Sequence, residues 1–508
     1  MTLLQVHRLN SKKNNTMFIK RRSSVLYRDY CTFGYITDNR NFGYNKANGK
    51  GTIIGDKILS KSGSIFMSVL NRKPQSINNL AKKIIHYFKD VEIKLIIEDA
   101  IEFYHLLEQD GFVVTGKTKS ECEQKDLKFT YKVLDFEVGN NDYYFTNFNH
   151  KISTQEFLNE YFQGKHQITN LHIEITSKCN EKCLHCYIPN EHKSSFIEPK
   201  LFYDIIRQSR DLKVLHLTLS GGEPMLHPQF CDFLKKCREY DFSVNVLSNL
   251  TVLNDNIVDE LQMNPLLGIQ VSLYAVKPAI HDEITQMKGS FEKTMNSILR
   301  LIDKDIPLQI SCPIIKQNLN CYDEVIEWAK QYKIHVGDDY GIIGRYNHET
   351  DNLKNRISIN ELTSVIYRKF ENDSKYFEQI EIEAEKRKDK KPDDYVCSVC
   401  TSSICIADNG NVYPCAGWQG YVVGNIKEAS LKDIWYNSKD IKYLRNIRNK
   451  DFGKCNNCND KDFCNICLVR NANEDPIGDL FVVSDYFCNI ARIHKQLAQL
   501  SKRKRAYL

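Results

Sequence analysis

Between Leu171 and about residue 345 the chain alternates six apolar runs with amphipathic segments. The runs are LHIEIT, VLHLTLS, SVNVLSN, IQVSLY, LQISCPII and the weaker IHVGDDYGI; segments such as LFYDIIRQ, FCDFLKKCREY, NIVDELQM, FEKTMNSILRLI and EVIEWAKQY fall between them. Strand-length runs separated by helical patterns demand a parallel sheet, because each strand must be re-entered through a crossover helix. About six such units predict an α/β fold, a partial (βα)6 barrel of TIM type, with its chemistry at the C-terminal ends of the strands.

A chain of 508 residues has room for roughly three domains. Ahead of the barrel, aromatic-rich alternation from residue 25 to about 58 predicts two or three small strands, with turn material around Gly49, Gly51 and Gly55. Helices are expected over SKSGSIFMSVL, over INNLAKKIIHYF capped by Ser76, and over VEIKLIIEDAIEFYHLLEQDGFV as far as Gly111. This is a winged-helix-like α+β unit, residues 1–113. Residues 114–168 read as a connector with one helix, TQEFLNEYF, followed by the barrel at 169–350, a linker with a helix at 351–396, and a cysteine-rich tail at 397–508.

The net charge of +6 is concentrated at the start of the chain, where Arg8, Lys12, Lys13, Lys20, Arg21 and Arg22 occur without an acidic residue before position 25. No domain-wide basic face follows, and Glu92, Glu98, Asp99, Glu102, Glu108 and Asp110 make the third helix too acidic to approach phosphates. No nucleic-acid partner is expected. Neither a membrane-length apolar run nor a secretory cleavage pattern is present, so a cytoplasmic location with reduced thiols is expected.

Eighteen cysteines in 508 residues are too few for a disulfide scaffold, and they are clustered: Cys179, Cys183 and Cys186 stand together, and nine more lie between Cys397 and Cys488. Clustered thiols in a reducing compartment point to metal. The C-x3-C-x2-C loop directly follows the first barrel strand. Three thiolates can hold three irons of a 4Fe-4S cube and leave the fourth open, whereas structural zinc wants a fourth protein ligand. His185 lies between two close ligands and is poorly placed to supply it. The second strand ends in SGGEP, Ser220 to Pro224.

With both motifs in this strand order, residues 171 to about 345 resemble a radical S-adenosylmethionine (SAM) enzyme, with His185 in the aromatic slot of the family's C-x3-C-x-aromatic-C loop. The resemblance implies that Cys179, Cys183 and Cys186 hold a SAM-binding 4Fe-4S cluster, and that Gly221, Gly222, Glu223 and Pro224 meet the SAM amino group. It further implies that Ser248, Asn249 and Ser272 contact ribose and carboxylate, and that His185 and Tyr187 stack near adenine. Catalysis would then run through a 5′-deoxyadenosyl radical.

The tail reads CSVCTSSICIADNGNVYPC, then CNNCNDKDFCNIC, then Cys488. The four-cysteine run alone would suit a zinc ribbon. With the C-x9-G-x4-C segment from Cys400 through Gly410 to Cys415, the whole resembles a SPASM domain, although its run ends C-x2-C where the family has C-x3-C. The resemblance implies two auxiliary 4Fe-4S clusters, three in all, one on Cys400, Cys405, Cys415 and Cys467 and one on Cys455, Cys458, Cys464 and Cys488. Cys397 stands as an alternative to Cys400. The N-terminal unit resembles the leader-recognition element of enzymes that mature ribosomally made peptides. The expected activity is hydrogen abstraction from a leader-bound precursor peptide and closure of an intrapeptide cross-link, a thioether or a C–C or C–O bond, with flavodoxin or ferredoxin as reductant. The alternatives are oxidation of a protein Cys or Ser, as in sulfatase maturation, and a non-catalytic iron-sulfur carrier.

Overall fold

A computed structural model of the chain describes residues 17–38, 55–126, 154–264, 267–372 and 374–506. Most of the basic start, the Gly49 and Gly51 turn region and much of the connector lie outside these. β1 (Phe18–Arg21) lies between two antiparallel partners, β5 (Gln75–Ser76) and β6 (Val113–Gly116), while β2 (Leu26–Asp29), β3 (Gly34–Thr37) and β4 (Asp56–Leu59) form a separate meander. Three helices follow the expected segments: α1 (Lys61–Ser68), α2 (Ile77–Ile84) and α3 (Ile93–Gln109). Ser76 caps α2 by accepting from the Asn79 amide. Ile19, Leu80, Ile84, Ala100, Tyr104 and Phe112 are fully buried in one core here. A further short helix, Lys119–Lys125, stands where the sequence suggests irregular connector. Thr118 caps it, and Lys20 reaches Glu123 at 2.6 Å and Asp126 at 2.8 Å.

The barrel strands run parallel in chain order: β7 (Asn170–Thr176), β8 (His216–Gly221), β9 (Ser243–Ser248), β10 (Leu267–Ser272), β11 (Leu308–Ser311) and β12 (His335–Gly337). Along β7 the core-facing Leu171, Ile173 and Ile175 are fully buried, and the intervening His172 and Glu174 face the other side of the sheet. The sheet does not end at β7. β13 (Ser403–Ile406), from the tail, pairs parallel with β7, setting Cys405 opposite His172, and β14 (Asn411–Tyr413) and β15 (Gly424–Asn425) continue it antiparallel to nine strands.

The N-terminal unit is fixed to the barrel. The Arg28 guanidinium, fully buried, donates to the carbonyls of Val214 (2.8 Å) and Tyr240 (3.1 Å) and lies over the Phe242 ring. Beside it Leu26, Tyr30, Phe33 and Tyr35 share a small core with Leu158 and Leu215. Leu158 belongs to the helix Thr154–Phe162, which is the one expected from TQEFLNEYF. The linker forms two helices, Ile359–Asn372 and Ser374–Lys388, and the chain closes with the helix Asp485–Ala506 packed on them. No helix among the described residues is long and apolar enough to cross a membrane.

Candidate active site and metal centres

The loop carrying Cys179, Cys183 and Cys186 leaves β7 and crosses the end of β8. Gly221 has φ +130°, and a Cβ there would stand 1.8 Å from the Thr176 carbonyl oxygen; one on Gly222 would stand 2.1 Å from that of Lys178. With no side chain in the way, the Gly222 amide donates to Thr176 at 2.9 Å and the Glu223 amide to Lys178 at 2.8 Å. The two glycines therefore let the end of β8 lie against the cysteine loop, which is more than a turn requires.

The Glu223 carboxylate, fully buried, is wrapped by the next strand: it accepts from the Met225 amide at 3.0 Å, the Ser248 hydroxyl at 2.8 Å and the Asn249 amide at 2.7 Å. Burial pushes it up to about 7, against these three bonds, which pull it down. Asn249 carries the network back to the loop, its amide donating to Asn180 Oδ1 at 3.1 Å while Asn180 donates to Thr251 at 2.6 Å. Glu223, Ser248 and Asn249 thus form one hydrogen-bonded set with the cysteine loop. Asn180 belongs to it although its spacing carries no signal.

Tyr274, two residues past Ser272 at the end of β10, is buried, with its hydroxyl 3.9 Å from Cys183 Sγ and its ring edge-on to His185 at 5.0 Å between centroids. His185 has a buried Nδ1 without a partner among the described residues, and burial pulls the ring down to about 4, so it is neutral at pH 7. Tyr187 has Glu174, Cys186, Cys405 and Cys415 as its ionisable neighbours, which puts it on the tail side of the loop. The loop carbonyls are held from beyond the barrel. Asn355 donates to Leu184 O at 2.9 Å, Asn352 to His185 O at 3.3 Å, and Arg345 to Cys186 O and Ile188 O at 3.2 Å. Nothing local in the sequence marks these three residues.

The tail thiols fall into two groups. Cys455, Cys458, Cys464 and Cys488 interact with one another and line a single cavity of about 410 Å³ with Lys390, Lys391 and Arg387 on its rim. In the second group Cys397 neighbours Cys415 and Cys467, and Cys400 neighbours Cys397 and Cys415. Cys405 neighbours Cys415, but its Sγ also lies with His172 and Glu174, their ligand atoms all within 4.8 Å of one another. Burial pushes Cys179 and Cys400 up to about 12 and Cys464 up to about 11. Thiols so held stay protonated unless a cation compensates the thiolate, so grouped and buried donors of this kind fit iron-sulfur clusters.

Residues 173–329 match the radical SAM superfamily, and residues 397–459 match the SPASM iron-sulfur cluster-binding domain. Among curated proteins, the AdoMet-dependent heme synthase of Methanosarcina barkeri (strain Fusaro / DSM 804) is 27% identical over 58% of this chain and 90% of its own length. The antilisterial bacteriocin subtilosin biosynthesis protein AlbA of Bacillus subtilis (strain 168) is 24% identical over 60% of this chain and 68% of its own. In fold, the chain resembles Streptococcus suis SuiB in its crystal structure bound to precursor peptide SuiA, with a TM-score of 0.56, 16% identity, and coverage of 92% of this chain and 99% of that one. The chain is a radical SAM enzyme whose barrel sheet is extended by a SPASM iron-sulfur domain.

Proposed function

We propose that the chain matures a ribosomally made precursor peptide, holding its leader on the N-terminal unit and closing a cross-link within its core, a thioether or a C–C or C–O bond. The observation that carries this is the N-terminal unit itself. It has its own core and is locked to the barrel through Arg28 and the shared aromatic cluster, an investment that a barrel acting on a small metabolite does not need. The likeness to SuiB extends over this unit, and AlbA is named for making a peptide bacteriocin. Such elements take an extended peptide as an added strand on a sheet edge.

Cys179, Cys183 and Cys186 would hold the SAM-binding cluster, and Gly221, Gly222, Glu223 and Pro224, with His185, Tyr187, Ser248, Asn249 and Ser272, would hold SAM. Bound there, the group would supply radical chemistry for hydrogen abstraction from the peptide. The chain's own part is to orient. Glu223 fixes Ser248 and Asn249, Asn180 ties them to the loop, and Tyr274 and the neutral His185 close the loop's apolar side against water. Cys455, Cys458, Cys464 and Cys488 would hold one auxiliary cluster. Cys400, Cys415 and Cys467 would hold the other; the expected set adds Cys405, and we take Cys397, which neighbours Cys415 and Cys467, in its place. A flavodoxin or ferredoxin would deliver the electron.

The test is anaerobic reconstitution with iron and sulfide, then SAM, dithionite and, where an open reading frame beside the gene encodes one, a short candidate precursor peptide. 5′-Deoxyadenosine together with a peptide lighter by two hydrogens for each cross-link is expected. 5′-Deoxyadenosine formed with the peptide mass unchanged, and no binding of its leader, would overturn the peptide reading while leaving the radical chemistry intact.

A further inference from the structure

Cys405 sits on β13 directly opposite His172 on β7, and Glu174, two residues further along β7, faces the same side of the sheet. The Cys405 sulfur, a His172 ring nitrogen and a Glu174 carboxylate oxygen all lie within 4.8 Å of one another. Cys405 is fully buried and Glu174 is 3% exposed. One Glu174 oxygen accepts from the Gln419 side-chain amide, and the other, Oε1, is buried with no partner among the described residues. The His172 ring is held through Nε2 by the Ser220 hydroxyl on β8.

Burial keeps Glu174 a neutral acid with one oxygen unsatisfied, and a divalent ion beside the thiol and the imidazole would ionise it and occupy that oxygen. Calcium and magnesium take oxygen donors only, whereas sulfur, nitrogen and oxygen together select a borderline divalent ion. We propose that His172, Glu174 and Cys405 bind a zinc ion at the seam between barrel and tail, distinct from the three cluster sites. Zinc bonds of about 2.0–2.3 Å set tetrahedral ligand atoms roughly 3.5 Å apart, so the trio closes by about 1 Å on binding. Ser220 and Gln419 orient the imidazole and the carboxylate from outside the ligand shell. Three protein ligands leave a fourth position for water or a substrate group. The inference rests on Cys405 lying outside the first auxiliary cluster.

The experiment uses the full chain with its clusters loaded, incubated with zinc sulfate and desalted, with zinc and iron counted together. One zinc per chain is expected, with a zinc-edge absorption spectrum showing a single sulfur among light atoms. In His172→Ala and Glu174→Gln the zinc is lost and the iron unchanged. No retained zinc, a shell made only of sulfur, or a fall of iron in Cys405→Ser would each overturn the proposal. The spectrum of the unaltered protein decides the matter even where the variants do not fold.

Discussion

The guanidinium of Arg21 meets the carboxylate of Asp241 at 2.8 Å, with the two side chains 7% and 5% exposed. Arg72 joins the same carboxylate at 2.6 Å. Asp241, in the turn ahead of β9, is therefore the anion on which two cations of the N-terminal unit converge. Asp241→Asn strands both and is expected to cost about 3–5 kcal/mol. Calorimetry of the variant should show the N-terminal unit melting ahead of the barrel, and a single unshifted transition would refute the role given to this pair.

Gly221→Ala and Gly222→Ala test the close approach of strand end and loop. With the new Cβ within 1.8 to 2.1 Å of a carbonyl oxygen, the loop must move, at a cost of roughly 3 kcal/mol. 5′-Deoxyadenosine production should fall at least tenfold. Iron content, which depends on the tail as well, should fall much less.

Replacing Cys179, Cys183 and Cys186 together by Ala should lower the iron count from about twelve to about eight and abolish SAM cleavage. Cys455→Ser with Cys464→Ser should remove about four irons yet leave SAM cleavage in place. Loss of all iron from the second variant would mean that the tail sites do not load independently.

Glu223 gives a pH signature. Its folded value, about 7, lies above the ordinary 4.5 because burial favours the neutral acid. The native state therefore binds the proton more tightly than the unfolded chain does, and stability falls as pH rises between those values, by about 3 kcal/mol if the group acts alone. Urea unfolding of the protein without SAM at pH 5 and pH 7.5 should show that loss, and Glu223→Gln should flatten it.

Asn352→Ala removes the donor to the His185 and Cys186 carbonyls. A loss of about 1–3 kcal/mol is expected, together with a raised KM for SAM at nearly unchanged kcat. A change confined to melting temperature would make Asn352 a purely structural residue.

What the sequence makes legible here is local. The cysteine loop, SGGEP and the six strand-helix units announce themselves because their information lies within a few residues, and the helix cap at Ser76 follows the same logic. Asn180, Tyr274, Asn352 and Asn355 do not, since each matters only through a partner supplied by the fold. Cys405 shows the limit of spacing. Its distance from Cys400 and Cys415 suits a cluster ligand, and spacing carries no sign that β13 also sets it opposite His172.

The pairing of β13 with β7 also governs the order in which the protein can be made. Thr169 and Ser402, which bond across that seam, are 233 residues apart. At ordinary translation rates of about 5–20 residues per second, the first barrel strand waits roughly 10 to 50 s with an open edge before its outer neighbour emerges. Open strand edges recruit other chains. A product truncated before Ser403 would keep that edge permanently, so an interrupted synthesis should yield aggregate rather than a smaller working barrel.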